Sequence, residues 1–291
     1  MGDAASVVIP SDAKTVDFHG HTAFPGLVGM HDHLFYSLNF FGTDGVRAYD
    51  MPFSFPRLYL AAGVTTIRTT GAFEPYTDLE IKKDLQVNSE QIQSVIRALV
   101  SHHVAVTSTL PVWEELVPPK HPLAARVLAV LSPEARKAYA AKTEMLTRES
   151  LDAHSASFDQ TQRFKKMIQL EMQFEVAFAR AGGMFLAGPD GVVGGDVAGF
   201  GDQRELELLV EAGFTPVEAI HIATWNGAKF LRQEDHIGSL GVDKQADIVI
   251  VRGDPTRNIR DVEQVEVVFK DGVGYDSKRL IESVRGLVGI R

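Results

Sequence analysis

After the turn signal Pro25-Gly26, residues Leu27–Met30 carry no polar side chain, and the run ends abruptly in His31-Asp32-His33. An apolar run this short, bounded by turn residues, reads as a buried strand, so the chain must build a sheet around it. His31 and His33 are two apart, which turns both side chains to one face of that strand. Two imidazoles at a strand end can converge on one ion, and neutral imidazole suits zinc, iron, nickel or copper. A hydrogen-bonded histidine pair at a turn is the alternative.

The rest of the chain alternates strands with helices. Leu58–Ala62 reads as a helix end closed by Gly63, followed by a β-branched strand over Val64–Thr69. Ser89–His103 has the apolar stripe Ile92, Val95, Ile96, Leu99 and a serine able to cap it, so it is expected to be a helix with His102 and His103 at its end. A strand is expected over Val104–Leu110, stopped by Pro111. Helix is expected over Ala124–Leu151, restarting at Ser132-Pro133-Glu134, and again over Gln160–Ala181. Met184–Ala187 is a short apolar strand leading into Gly188-Pro189-Asp190-Gly191, after which helices are expected at Arg204–Glu211 and Pro216–Ala223. Strands at Ala246–Val251 and Val265–Phe269, with the turn Asp271-Gly272, close the pattern. The aromatic stretch from Tyr36 to Pro56 reads as an ordered but irregular loop. Alternation through the middle favours α/β, and both strand-rich ends are able to pair into one small sheet.

Composition narrows the chemistry. The 291 residues are long enough for one barrel of ~250 residues with a small appendage. There is no cysteine, so a metal would be held by histidine and carboxylate. The formal net charge of −9, with no basic cluster set against it, argues against a nucleic-acid surface. The apolar stretches stop short of the ~20 residues of a membrane span, and the start Met1-Gly2-Asp3-Ala4 has no signal-peptide pattern. No membrane association is therefore expected, and the compartment, cytoplasm or periplasm, stays open.

Asp190 follows its own apolar strand in a glycine-rich setting. A carboxylate there is able to complete a two-histidine, one-carboxylate set with room for water, and to take a proton as that water attacks a carbonyl. An Asx turn is the alternative, because Pro-Asp-Gly is strong turn chemistry. The loop from Gly188 to Gly201 has no Gly-Lys-Ser/Thr, so it is not a phosphate-binding loop.

Phe24-Pro25-Gly26-Leu27-Val28-Gly29-Met30-His31-Asp32-His33 resembles the first barrel strand of the metal-dependent amidohydrolases related to imidazolonepropionase. Ala62-Gly63-Val64-Thr65-Thr66-Ile67-Arg68 is similar to their second strand. Leu186-Ala187-Gly188-Pro189-Asp190 is similar to their eighth, with proline where threonine is usual. The run Glu205–Gly213, with Thr215-Pro216 and Ala223-Thr224-Trp225-Asn226, resembles the helices behind that strand, and Ala246–Val251 the return into their β-sandwich.

The resemblance implies a (β/α)8 TIM-type barrel over 26–235 and a small β-sandwich made from 1–25 and 236–291. It implies His31, His33 and Asp190 as metal ligands, Asp190 as catalytic proton acceptor, and one or two divalent ions, zinc above all. It implies hydrolysis of an amide, lactam or other C–N bond in a small or peptide-like substrate.

The family's middle-strand ligands, a lysine and two histidines, have no match here. Only Ala72–Asn88 separates the second strand from a helix resembling the one before strand seven, and Lys82 and Lys83 do not fit the lysine motif. Two explanations compete: a middle segment with strands three to six is omitted near 76–89, which is favoured and predicts a gap there, or the chain is a shortened product in which strands one, two, seven and eight, neighbours around a barrel, form a contiguous part-barrel with two open edges. Open edges invite pairing, so a homo-oligomer is expected. A non-catalytic remnant that acts as a binding or associating protein is the alternative function.

Overall fold

The computed structural model describes residue 11 and residues 13–38, 47–69, 87–118, 122–151 and 156–289. The buried strand expected at Leu27–Met30 is β2 (Leu27–Asp32), preceded by β1 (His21–Pro25). β2 pairs in parallel with β5 (Val64–Thr69), and β6 (Val106–Ser108) pairs in parallel with β7 (Phe185–Ala187). The two ladders lie side by side. The amide of Asp190, just past β7, donates to the carbonyl of His31 in β2 at 3.0 Å. Four strands therefore follow one another in the order β5, β2, β7, β6, the neighbourhood expected for the first, second, seventh and eighth strands.

Both faces of this layer are covered. Leu27, Phe185 and Ala187 join a core with Phe55 and Leu58 of α1 (Ser54–Ala61), Phe178 of α6 (Ala156–Arg180) and Leu206 and Leu209 of α7 (Phe200–Ala212). Val28, Met30 and Leu186 pack instead with Ala228 and Ile237. A parallel sheet needs such double cover, because its strands carry apolar residues to both sides.

The expected closed (β/α)8 barrel does not form among the described residues. Closure takes eight strands with every edge paired, and the described residues supply two two-stranded parallel ladders set side by side. Of the expected β-sandwich, the described residues show one antiparallel sheet, in the order β1, β10 (Ile248–Arg252), β11 (Val265–Lys270), β12 (Val273–Asp276). Its inward residues Val249, Val251 and Val268 enter the main core, and α1 with α10 (Ser277–Ser283) packs where a second sheet would lie. The two chain ends do meet in it, with His21–Pro25 paired to Ile248–Arg252. At the β11–β12 turn Asp271 and Gly272 both have positive φ, 52° and 78°, as a tight hairpin turn requires.

Two further expectations need correction. The described residues of the stretch from Tyr36 to Pro56 are largely regular: β3 (Phe35–Leu38) and β4 (Arg47–Asp50) pair antiparallel there, and α1 begins at Ser54. The strand expected over Val104–Leu110 shrinks to β6, because Leu110 already opens the short helix α3 (Leu110–Glu114) with Pro111 in its first turn, where a missing N–H costs nothing. β3 also pairs in parallel with β8 (Val192–Val193), which pairs antiparallel with β9 (Asp196–Val197).

The helices follow local sequence closely. Ser89 accepts from the amide of Ile92 at the start of α2 (Glu90–Ser101). α4 (Ala125–Val130) and α5 (Pro133–Leu151) divide at Ser132-Pro133. Thr215 and Glu218 cap each other's amides at the start of α8 (Pro216–His221), which continues through a π turn into α9 (Gly227–Phe230). No helix among the described residues is long and apolar enough to cross a membrane. Residues 70–86, with Lys82, Lys83 and most of the interval 76–89 in which a gap is expected, lie outside the described residues, as do His121 and His154.

Candidate metal centre

The three candidate ligands meet at the ends of β2 and β7. Oδ1 of Asp190 lies 2.7 Å from Nε2 of His33 and 3.5 Å from Nε2 of His31. The imidazoles stand edge to face, their centroids 5.3 Å apart. One nitrogen from each histidine and one oxygen of Asp190 fall within 4.8 Å of one another. A set of two nitrogens and one oxygen at that spacing suits a borderline divalent ion such as zinc, which keeps a further position for water in catalytic sites.

The backbone explains why these side chains converge. Alternation along β2 sends His31 to one face, and His33 follows just past the last strand residue. Asp190 adopts a left-handed conformation, φ 59°, which a short polar residue tolerates far better than a branched one. The left-handed backbone at Asp190 is compatible with a ligand role, since it turns the carboxylate toward the two imidazoles. Gly188 allows β7 to approach β2, since a Cβ there would lie 2.2 Å from the His31 nitrogen.

Behind the loop, the hydroxyl of the buried Tyr36 donates to the carbonyl of Gly194 at 2.8 Å, and Glu115 accepts from the amide of Gly195 at 3.0 Å. Both contacts brace the segment that carries Asp190.

Electrostatics keep one imidazole ready to ligate. Burial holds the His31 pKa below its ordinary value, outweighing the pull of the Asp190 carboxylate, so the neutral form dominates near pH 7. Beneath the histidines lies a buried acidic pair that sequence reading missed. Asp32 is fully buried, and burial together with the nearby Asp202 pushes its pKa well up, against the lowering effect of the Tyr59 hydroxyl. Gly29 makes room for it, because a Cβ at that position would sit 1.8 Å from Asp32 Oδ2 and 3.0 Å from Asp202 Oδ1. Asp202, in the first turn of α7, is pushed up to about 7 by burial, against the lowering effect of the amide of Gly199. Asp32 stands in the His-x-His motif itself, yet nothing in the local pattern distinguishes it from a solvated strand-end residue.

Residues 172–273 match the amidohydrolase family. The match spans about a third of the chain. The match takes in the end of α6, the Asp190 loop, helices α7 to α9 and strands β10 and β11; His31 and His33 lie upstream of it. Among solved structures, the chain is similar to an Xaa-Pro dipeptidase with methionine bound in its active site (TM-score 0.54, 18% identity, 93% of this chain and 91% of that one). It is also similar to molinate hydrolase (TM-score 0.53, 17% identity, 95% and 88%). A prolidase in complex with N-methylphosphonate-L-proline gives a TM-score of 0.52 at 16% identity, over 93% of this chain and 90% of that one. At these identities the likeness is one of fold. No curated protein matches the chain.

Proposed function

We propose that the chain is a metal-dependent hydrolase of C–N bonds, acting on an amide or lactam of a small or peptide-like molecule. The observation that carries this reading is the convergence of His31, His33 and Asp190, from two separate strand ends, to within 4.8 Å. The position is the one parallel α/β architectures use for chemistry, at the carboxyl ends of the strands.

His31 and His33 would hold the ion through Nε2, and Asp190 through its carboxylate. A divalent ion bound there supplies Lewis acidity, lowering the pKa of water toward neutrality and polarising a carbonyl. Asp190, half-buried with its Oδ1 turned to His33, would take the proton of the attacking water and hand it to the departing nitrogen. The names of the similar structures, a dipeptidase and a prolidase among them, favour a peptide-like amide as substrate.

Metal analysis of a His31→Ala/His33→Ala double variant tests the assignment. The wild type is expected to retain about one or two ions per chain, as in catalytic zinc sites generally. The double variant should retain none while keeping its far-ultraviolet spectrum. Unchanged stoichiometry in the variant would refute the site.

A second reading, a non-catalytic chain that works by association, is favoured by one observation. Among the described residues, no strand pairs the outer edges of β5 and β6. Metal-bearing protein without amidase activity on any peptide or lactam panel would support that reading over hydrolysis.

A further inference from the structure

The amide and the carbonyl of His33 both end on a single atom. β2 stops at Asp32, so residue 33 has no ladder partner for either group, and a strand end left that way is free to swing. The hydroxyl of Tyr59 fills both places: it accepts from the His33 amide at 3.2 Å and donates to the His33 carbonyl at 2.8 Å. A phenol has one proton to give and lone pairs to receive, so this one group satisfies the whole peptide unit of the residue. Tyr59 comes from α1 and is itself rigid, being only 2% exposed, with the ring of Phe55 edge-on at 6.3 Å. The His33 imidazole, in turn, sits between Phe35, 4.8 Å away, and Asp190.

We propose that Tyr59 is the positioning residue of the metal centre: through the backbone of His33 it fixes where Nε2 stands relative to Asp190 and His31. The inference rests on His33 being a metal ligand, and it deepens that reading by extending the site to a helix that contributes no ligand. Removing the hydroxyl takes away no donor atom for the ion. It leaves two buried backbone groups unpaired and lets the peptide of residue 33 rotate, which changes the ligand geometry. A tyrosine that only filled the core would affect stability alone.

Cobalt(II) is the probe, because its visible absorption reports coordination geometry. Four proteins are titrated: wild type, His33→Ala, Tyr59→Phe, and Phe55→Leu as a packing change in the same helix. Tyr59→Phe is expected to bind cobalt at wild-type stoichiometry with affinity weakened about 10-fold to 100-fold, the usual range for groups that orient a ligand. Its absorption band should also shift. Phe55→Leu should lose stability and keep the wild-type band. A Tyr59→Phe protein with wild-type affinity and band, beside a His33→Ala protein that no longer binds cobalt, overturns the positioning role and leaves the metal site standing. If His33→Ala still binds like wild type, the metal reading itself fails and the positioning role with it. Hydrogen exchange of the His33 amide in the wild type covers the case in which Tyr59→Phe does not fold. Protection comparable to the strand amides of β2 supports the proposal, and exchange at the rate of an open loop overturns it.

Discussion

The amide of Asp190 donates to the carbonyl of His31 across 3.0 Å, so the residue that supplies the carboxylate is fastened by its own backbone to a residue that supplies an imidazole. The bond joins the two parallel ladders at the level of the site. Displacement of β7 relative to β2 therefore moves the carboxylate and the imidazoles apart, and the geometry of the centre depends on how closely the two strands can approach.

Gly188 sets that approach. A methyl group there would lie 2.2 Å from the nitrogen and 2.8 Å from the Cβ of His31, both far inside contact distance and both on a strand that has little freedom to yield. Gly188→Ala is expected to cost about 1–3 kcal/mol of stability, the usual range for overpacking a closed site. Because relief requires the ladders to separate, bound metal should fall as well. Urea unfolding and metal analysis of the same preparation check both effects, and an alanine variant with native stability and full metal content would show that the strands are not held as described.

Asp190→Asn separates charge from conformation. Asparagine accepts a left-handed backbone as readily as aspartate, so φ 59° at this position is preserved while the base is lost. The variant is expected to fold normally, to bind metal more weakly and to lose about 10²-fold to 10⁴-fold in kcat, the range for removing a positioned general base. Asp190→Val should in addition lose stability, since a β-branched residue is strained there. Activity of Asp190→Asn within a factor of about ten of wild type, measured at saturating metal, would reduce Asp190 to a turn residue.

How much of this was legible in the sequence differs by residue. His31, His33 and Asp190 could be chosen because each ends a short apolar strand, and position at a strand end is a local property. The order of the four parallel strands came from resemblance, since nothing in Leu27–Met30 or Met184–Ala187 names its neighbour. β3 and β4 were hidden behind the prolines and phenylalanines between Tyr36 and Pro56, and they are strands because they pair with each other and with β8. Tyr59 was invisible for a related reason. It occupies an ordinary buried helix position, and only tertiary folding brings its hydroxyl to His33. Likewise Asp32 and Asp202, 170 positions apart, become a pair because Gly29 leaves room between strand and helix.

That acidic layer gives a pH signature. Asp202 is held at about 7 in the folded chain by burial, against 3.8 for the ordinary side chain. Between those values the folded state keeps a proton that the unfolded state has released, so stability falls as pH rises, by up to about 1.4 kcal/mol per pH unit for one such group. Glu205, pushed to about 8 by burial and by the charge of Asp202, acts in the same direction. Asp202→Asn keeps an oxygen for the Gly199 amide and removes the titration. Relative to wild type it should gain stability from pH 5 to about pH 7 and level off above that, as read by urea midpoints at constant ionic strength. A difference between the two proteins that does not change with pH over that window would contradict the assignment.

The open flanks of the parallel layer lead to the last prediction. β5 and β6 stand at its two ends, each with one side in a ladder and the other unpaired among the described residues. Each unpaired side is a row of N–H and C=O groups, a template for another strand, and proteins protect such rows with charge, proline or cover. β6, Val-Thr-Ser, has none of the first two, and on β5 the only charged residue is Arg68. The chain is therefore expected to associate through these edges. Sedimentation should give a weight-average mass above the 31.9 kDa of one chain, rising with concentration. Thr107→Lys, which places charge on the short edge strand, should lower that mass while leaving metal content unchanged. A strictly 31.9 kDa species at every concentration would mean that both edges are covered by the chain's own residues.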